Sequence, residues 1–231
     1  KVPDVDLNVA KIPDGVSLEA AALVGDMVTT GFHGVELADV KFGDRVCVIG
    51  IGPVGLMSVV GCVLRGAAEI YAVGHRPVTR ELAMQYGATA TIDYHDGPIV
   101  EQVMKLTGGQ QIEKVIIAGG EPTVFNDALA RVKYTGTVAN LAGHGRTELL
   151  LPIYTNESGF GFCAHKTVTG GLCPGGRRRI ERLMGMVKAG RFEPEKLITH
   201  RFYGLDGIEE AFDLMKSKKP EVIKPIIYFD K

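Results

Sequence analysis

Residues 45–56 read Arg45-Val46-Cys47-Val48-Ile49-Gly50-Ile51-Gly52-Pro53-Val54-Gly55-Leu56. An apolar run suited to a strand buried on both faces leads straight into three glycines spaced G-x-G-x-x-G. Pro53 then suits the first turn of a helix, because the N–H it lacks would have no partner inside the helix. Strand, glycine turn and helix in that order can receive a dinucleotide. Gly50 allows the tight turn, Gly52 lets a pyrophosphate approach the backbone, and Gly55 lets helix pack on strand, while the helix N-terminus attracts the anion. Gly50, Ile51, Gly52, Pro53, Val54 and Gly55 are therefore candidate coenzyme-binding residues. An ordinary glycine-rich β-α turn can carry the same hexapeptide, so its surroundings decide.

Those surroundings repeat the pattern. Glu69 to Val73 reads as a second strand and Val78 to Tyr86 as a second helix, followed by Thr91–Asp93 and Gly97–Leu106. Lys114 to Gly120, Thr123 to Val132 and Thr137 to Leu141 continue as strand, helix and strand. Short strands alternating with longer helices imply right-handed crossovers, and hence an α/β fold with a doubly wound parallel sheet, the Rossmann coenzyme-binding architecture. Residues 1–25 read as short extended pieces with a turn at Pro13-Asp14-Gly15, and Asp26 as the N-cap of a helix carrying Met27, Phe32, Val35 and Leu37. Beyond Leu141 the alternation loosens into a glycine-rich stretch. A helix then opens at Arg177 with Ile180, Leu183, Met184 and Val187 on one face, and another runs from Leu205 to Lys216. The last strand, from Val222 to Phe229, contains Pro225 and is expected at an edge. The expected division is a linker over 1–28, a nucleotide-binding domain over 29–170 and a C-terminal segment over 171–231.

Composition excludes several classes. With 26 Lys+Arg against 27 Asp+Glu the net charge is −1, so no nucleic-acid partner is expected. Arg177-Arg178-Arg179 and Lys218-Lys219 read as solvated. No apolar run reaches the ~18 residues of a membrane span and no leader opens the chain, which points to a cytoplasmic protein without a membrane partner. Cys47, Cys62, Cys163 and Cys173 form no C-x-x-C pair and are expected to be reduced thiols outside any zinc site. Thirty glycines in 231 residues is roughly twice the ~7 % norm, without any G-X-Y period, so they should serve turns and close backbone approaches.

The end of the second strand decides the coenzyme. An NAD site places an acid there to accept from the ribose 2′-hydroxyl, but the chain reads Val73-Gly74-His75-Arg76. Glu69 begins the strand, roughly 13 Å from the ligand-binding edge at ~3.3 Å per residue. Arg76, helped by His75, can instead hold a 2′-phosphate, and NADP is the expected coenzyme. Asp26 has no Cys or His at ligand spacing, so a cap is the simpler role. His33 reads as a helix histidine satisfied locally, and Cys173 as a small side chain in a tight loop.

Together, Asp26 to Gly34, Gly50 to Met57, Gly74-His75-Arg76-Pro77, Ala118-Gly119-Gly120, His165 to Arg177 and Ile223-Lys224-Pro225 resemble one family. It is the zinc-containing, NADP-dependent secondary alcohol dehydrogenases of the medium-chain dehydrogenase/reductase superfamily. The resemblance runs from about residue 5 onward and corresponds to the later two-thirds of such an enzyme. It implies that a GroES-like catalytic barrel, bearing the Cys and His zinc ligands, lies outside this stretch, of which 1–28 is a remnant. It makes Asp26 a zinc ligand and places Gly74, His75, Arg76 and Tyr94 around the 2′-phosphate, with His75 where the family usually has serine. Lys218 becomes another coenzyme-phosphate contact, and Cys173 lines the substrate pocket. The loop at 143–160 departs most from the family. The implied substrate is a small secondary alcohol or ketone, and the implied assembly a homotetramer. No catalytic residue is assigned within the stretch, which is expected to bind NADP(H) without holding zinc or turning over alcohol. A zinc-free NADPH quinone or enone reductase of the same superfamily, and a non-catalytic dinucleotide-sensing module, are the alternatives.

Overall fold

The computed structural model describes residues 1–145, 148 and 165–229. Alternate side chains of the first strand, β1 (Arg45–Ile49), face opposite ways: Val46 and Val48 enter one apolar cluster, Cys47 and Ile49 the other. That split requires cover on both faces, and the rest of the chain supplies it. Three short helical pieces come first: α1 (Val5–Asn8), α2 (Leu18–Leu23) and α3 (Thr29–Leu37). After β1 the chain runs through α4 (Pro53–Leu64), β2 (Glu69–Val73), α5 (Pro77–Gln85), β3 (Ala90–Ile92), α6 (Ile99–Leu106), β4 (Ile112–Ile117), α7 (Val124–Arg131) and β5 (Val132–Asn140). Then come β6 (Thr167–Gly170), α8 (Arg177–Lys188), β7 (Ile198–Tyr203), α9 (Gly207–Ser217) and β8 (Lys224–Tyr228).

Six strands form one sheet in the order β3-β2-β1-β4-β5-β6, every pair parallel. The expected doubly wound sheet is present. On one face α3 and α4 pack against Val46, Val48, Ile70 and Ile116; on the other α6 and α7 pack against Cys47, Ile49, Tyr71 and Ile117. Helix α4 is buried from Gly55 to Cys62, and the hydroxyl of buried Ser58 donates to the Gly31 carbonyl at 3.0 Å, tying α4 to α3. Burial pushes the Cys47 thiol up to about 12 and raises that of Cys62 as well, so both are inert packing groups.

Four expectations are corrected. Residues 18–23 are helical rather than extended, with the Ser17 hydroxyl accepting from the Ala20 amide at 3.0 Å as their N-cap. Asp26 is not a cap: a π-helical turn, Val24–Val28, joins α2 to α3, and Asp26 lies inside that continuous helix. Strands β6 and β7 went unread, because each exists only through a distant partner, β5 and β8 respectively. Arg179 is not solvated: it donates to the Thr29 hydroxyl at 2.6 Å, the Thr29 carbonyl at 3.0 Å and Glu36 at 3.0 Å, bolting α8 to α3. Arg177 does follow expectation, pairing with Glu181 one turn along, as does His33 with Glu36 at 3.3 Å. Pro225 lies in a two-stranded sheet, β7-β8, where both strands are edges. Cys163 and most of the divergent loop, 146–147 and 149–160, lie outside the described residues.

Glu113 pins the start of the central strands. Its carboxylate accepts from the Arg45 amide at 2.9 Å and from Lys133 at 3.1 Å. Burial alone would raise its pKa, but these two partners outweigh that and hold it below the usual carboxylate range. A depressed folded-state pKa contributes stability that is present above the unfolded value and lost as pH falls through the folded one. Acidification below about pH 4.3 should therefore lower the urea midpoint, and Glu113→Gln should lower it at pH 7 while flattening the acid-side slope. Identical slopes in the two proteins would remove Glu113 from this role.

Candidate functional site

Parallel strands that run side by side end at the same edge, so residues distant in sequence meet there. Gly50 follows β1, Gly74 follows β2 and Ala118 follows β4. Backbone bonds lock the three ends in register: the Gly50 amide donates to the Val73 carbonyl at 3.0 Å, and the Ala118 amide to that of Ile49 at 2.8 Å. Between them lies a cleft of about 610 Å³, lined among others by Gly50, Gly52, Gly74, Arg76, Thr123 and Lys218. It occupies the carboxyl end of the sheet where β1 and β4 meet and the winding changes direction, the general ligand position of open α/β sheets.

The glycine turn is shaped by two close approaches. Gly50 has φ of +90°, and a Cβ on Gly55 would stand 2.0 Å from the Gly50 carbonyl oxygen. Gly52 differs: its backbone is extended, and a Cβ there would meet nothing within 4 Å. The space in front of Gly52 is the open cleft, at the uncapped N-terminus of α4. A diphosphate placed there would receive backbone N–H donors and the positive end of a twelve-residue helix. The residues present thus fit a dinucleotide. Pro53, Val54 and Gly55 form the first turn of α4, behind the cleft surface, whereas Gly50, Ile51 and Gly52 line it.

The second corner is cationic. Gly74, His75, Arg76, Tyr94 and Lys218 all line the cleft. Arg76 is half-buried and donates to the Val222 carbonyl, which anchors its guanidinium and joins it to the C-terminal segment. Desolvation lowers its pKa, opposed by Tyr94. The Tyr94 hydroxyl lies 2.5 Å from His75 Nδ1. Lys218 ends α9 with a left-handed backbone and reaches the cleft from the far side of the chain. Glu69 starts β2 at the opposite end, where it accepts from the Tyr71 hydroxyl at 2.6 Å.

Asp26 and Cys173 lie apart from this cleft but near each other. Thr30, one turn after Asp26, donates to its carboxylate at 3.4 Å and stands 3.6 Å from Cys173 Sγ. Sequence reasoning missed Thr30; its i, i+4 spacing from Asp26 was the available signal. The Asp26 carboxylate is exposed. Among the described residues no group of three or more His, Cys, Asp or Glu side chains could hold a metal ion, so the donor set around Asp26 does not make a site by itself. Nor is any described helix long and apolar enough to cross a membrane.

Comparison with known proteins agrees with this geometry. The chain is 52 % identical over 226 residues to a protein named NADP-dependent isopropanol dehydrogenase from Thermoanaerobacter brockii, and 49 % identical to one of the same name from Clostridium beijerinckii. Each match takes in 98 % of this chain and 64 % of the relative, so the chain spans about 64 % of the length of these proteins. Among solved structures, the alcohol dehydrogenase TADH from Thermus sp. ATN1 superposes with a TM-score of 0.84 at 26 % identity, covering 99 % of this chain and 63 % of that one. The zinc-dependent alcohol dehydrogenase 2 from Streptococcus pneumonia, in its apo form, gives 0.84 at 28 % identity, covering 100 % of this chain and 64 % of that one. The family model described as zinc-binding dehydrogenase matches residues 53–188, the stretch that opens at the start of α4 and closes at the end of α8. With its glycine turn, switch-point cleft and parallel sheet, the chain belongs to the zinc-binding dehydrogenase family.

Proposed function

We propose that this chain supplies the coenzyme-binding part of an NADP-dependent alcohol dehydrogenase acting on small secondary alcohols and ketones. One observation carries the coenzyme half of the reading: the ribose corner of the cleft presents Arg76, His75 and Lys218, and the strand that ends there offers no carboxylate. In this reading the α4 N-terminus and the Gly50–Gly52 backbone hold the diphosphate, and Arg76 holds the 2′-phosphate. The Val222 carbonyl, accepting from Arg76, anchors that guanidinium. Bound NADP(H) would supply the hydride chemistry. Names of the relatives at 52 % and 49 % identity support both coenzyme and substrate class.

Asp26 is proposed as one ligand of a zinc ion, with Cys173 facing the substrate beside it. Support comes from the Asp26–Thr30–Cys173 contact, which joins α3 to the loop before α8, and from the family membership. The described residues supply only one of the three or four protein ligands that a zinc ion takes. The division at 29–170 is proposed on the extent of the six-stranded sheet and its helices. A cytoplasmic homotetramer is proposed on the family likeness.

The test is coenzyme binding by Arg76→Ala in the full-length protein. A charge-assisted bond to phosphate is worth about 1.5–3 kcal/mol, so the Kd for NADPH should rise about 10–100-fold. The Kd for NADH should move less than about twofold, since that ligand has no 2′-phosphate for the guanidinium to hold. Equal losses for both coenzymes would place Arg76 outside the phosphate site.

A further inference from the structure

At the ribose corner stands a second histidine that neither composition nor spacing singled out. His95 follows Tyr94 directly, and the three rings of His75, Tyr94 and His95 form one cluster. The His75–Tyr94, His75–His95 and Tyr94–His95 centroids lie 5.3, 5.2 and 4.4 Å apart. His95 Nδ1 lies 2.9 Å from Asp93 Oδ1. Asp93 also accepts from the His95 amide at 3.0 Å and pairs with Arg80 at 3.4 Å. The His95 amide above all holds the Asp93 carboxyl below its usual range. The cluster therefore joins a cleft-lining histidine to a carboxylate through an aromatic ring and a second imidazole.

We propose that His75, backed by the His95–Asp93 pair, makes the discrimination between 2′-phosphorylated and unphosphorylated dinucleotides depend on pH. This rests on the NADP reading above and adds a proton to it. The Tyr94 hydroxyl can donate to Nδ1 of neutral His75 and accept from Nδ1 of the protonated ring, so the 2.5 Å contact survives the change of charge. The imidazole keeps its place while it gains or loses a positive charge beside the phosphate. When His75 is protonated the phosphate meets Arg76, Lys218 and an imidazolium; when it is neutral it meets only the first two.

Arg76, Lys218 and Glu121 line the cleft with His75, His95 faces its ring, and Asp93 pairs with both His95 and Arg80. A phosphate dianion entering this cationic corner tips the balance toward uptake of a proton. NADPH should therefore bind with proton uptake and NADH without it.

The experiment is a titration of the full-length protein with NADPH and with NADH from pH 6 to 8.5, alongside His75→Asn, which keeps a donor and loses the titratable charge. Divided by the same ratio in His75→Asn, the wild-type ratio of NADH to NADPH dissociation constants should fall on the order of tenfold as pH rises across that range. The 2′-phosphate titrates near pH 6 and contributes equally in both proteins, so it cancels when wild type is divided by variant. Calorimetry in two buffers of different ionisation enthalpy should show proton uptake with NADPH alone. A wild-type-to-variant quotient that is flat with pH overturns the inference and leaves the coenzyme assignment standing. Equal binding of NADPH and NADH at every pH overturns both.

Discussion

Gly55→Ala should destabilise the protein by about 3 kcal/mol, the upper end of the usual range for overpacking a tight site. For a chain of this size that is a fall in Tm of roughly 6–12 °C. A Cβ at residue 55 would stand 2.0 Å from the Gly50 carbonyl oxygen and 2.9 Å from its carbon, with the Ala118 Cβ at 3.4 Å. The obstructing atoms are backbone, so no side chain can swing away. Relief requires α4 to lift from the end of β1, and α4 is among the most buried elements, its residues from Gly55 to Cys62 buried against the sheet and α3. Lifting it also draws its N-terminus back from the cleft, so NADPH affinity should fall together with stability. Thermal melts followed by circular dichroism decide the matter: a variant melting within about 2 °C of wild type would show that the turn has slack the geometry does not reveal.

The doubly wound sheet was legible because its signal is local. Strands β1 and β2 and the end of β4 (Val115–Ile117) are largely apolar runs bounded by turn residues, and the helices between the strands are long enough to show their period. The cleft followed from topology alone, since loops at one end of neighbouring parallel strands must converge; Gly50, Gly74 and Arg76 needed no further information. What stayed hidden is held by contacts far apart in the chain. Thr167–Gly170 is mostly exposed and becomes a strand only beside β5. Arg179 resembles any surface arginine until Thr29 and Glu36, on α3 or next to it, arrive at hydrogen-bond distance. Asp26 is linked to Cys173 only through Thr30, which meets the thiol across 143 residues of chain. The π turn around Asp26 left no mark in the composition, yet it displaces that carboxylate from the cap position its neighbours suggested. His95 escaped notice for a related reason, since adjacency to Tyr94 says nothing about which rings will face His75.

Gly52→Leu should do the opposite of Gly55→Ala: it should leave the fold intact and abolish coenzyme binding. Residue 52 has φ −72° and ψ −171°, an extended conformation open to any L-residue, and a Cβ there meets no atom within 4 Å. No strain and no overlap arise in the free protein, so its Tm should stay within about 2 °C of wild type. The added side chain projects into the cleft at the uncapped start of α4, the space in which a diphosphate has to approach the backbone N–H groups. Displacing the diphosphate by the width of an isobutyl group would forfeit those charge-assisted bonds together, since none reaches across such a gap. At about 1.5–3 kcal/mol for each bond to a charged group, losing two or more corresponds to at least a 100-fold rise in Kd, for NADPH and NADH alike. Equal loss for both coenzymes separates this variant from Arg76→Ala, whose effect is confined to NADPH, and from Gly55→Ala, whose binding defect comes with a lower Tm. Retention of NADPH affinity in a stably folded Gly52→Leu protein would mean that the diphosphate does not lie against this turn, and the glycine spacing would then serve only the packing of α4 on β1.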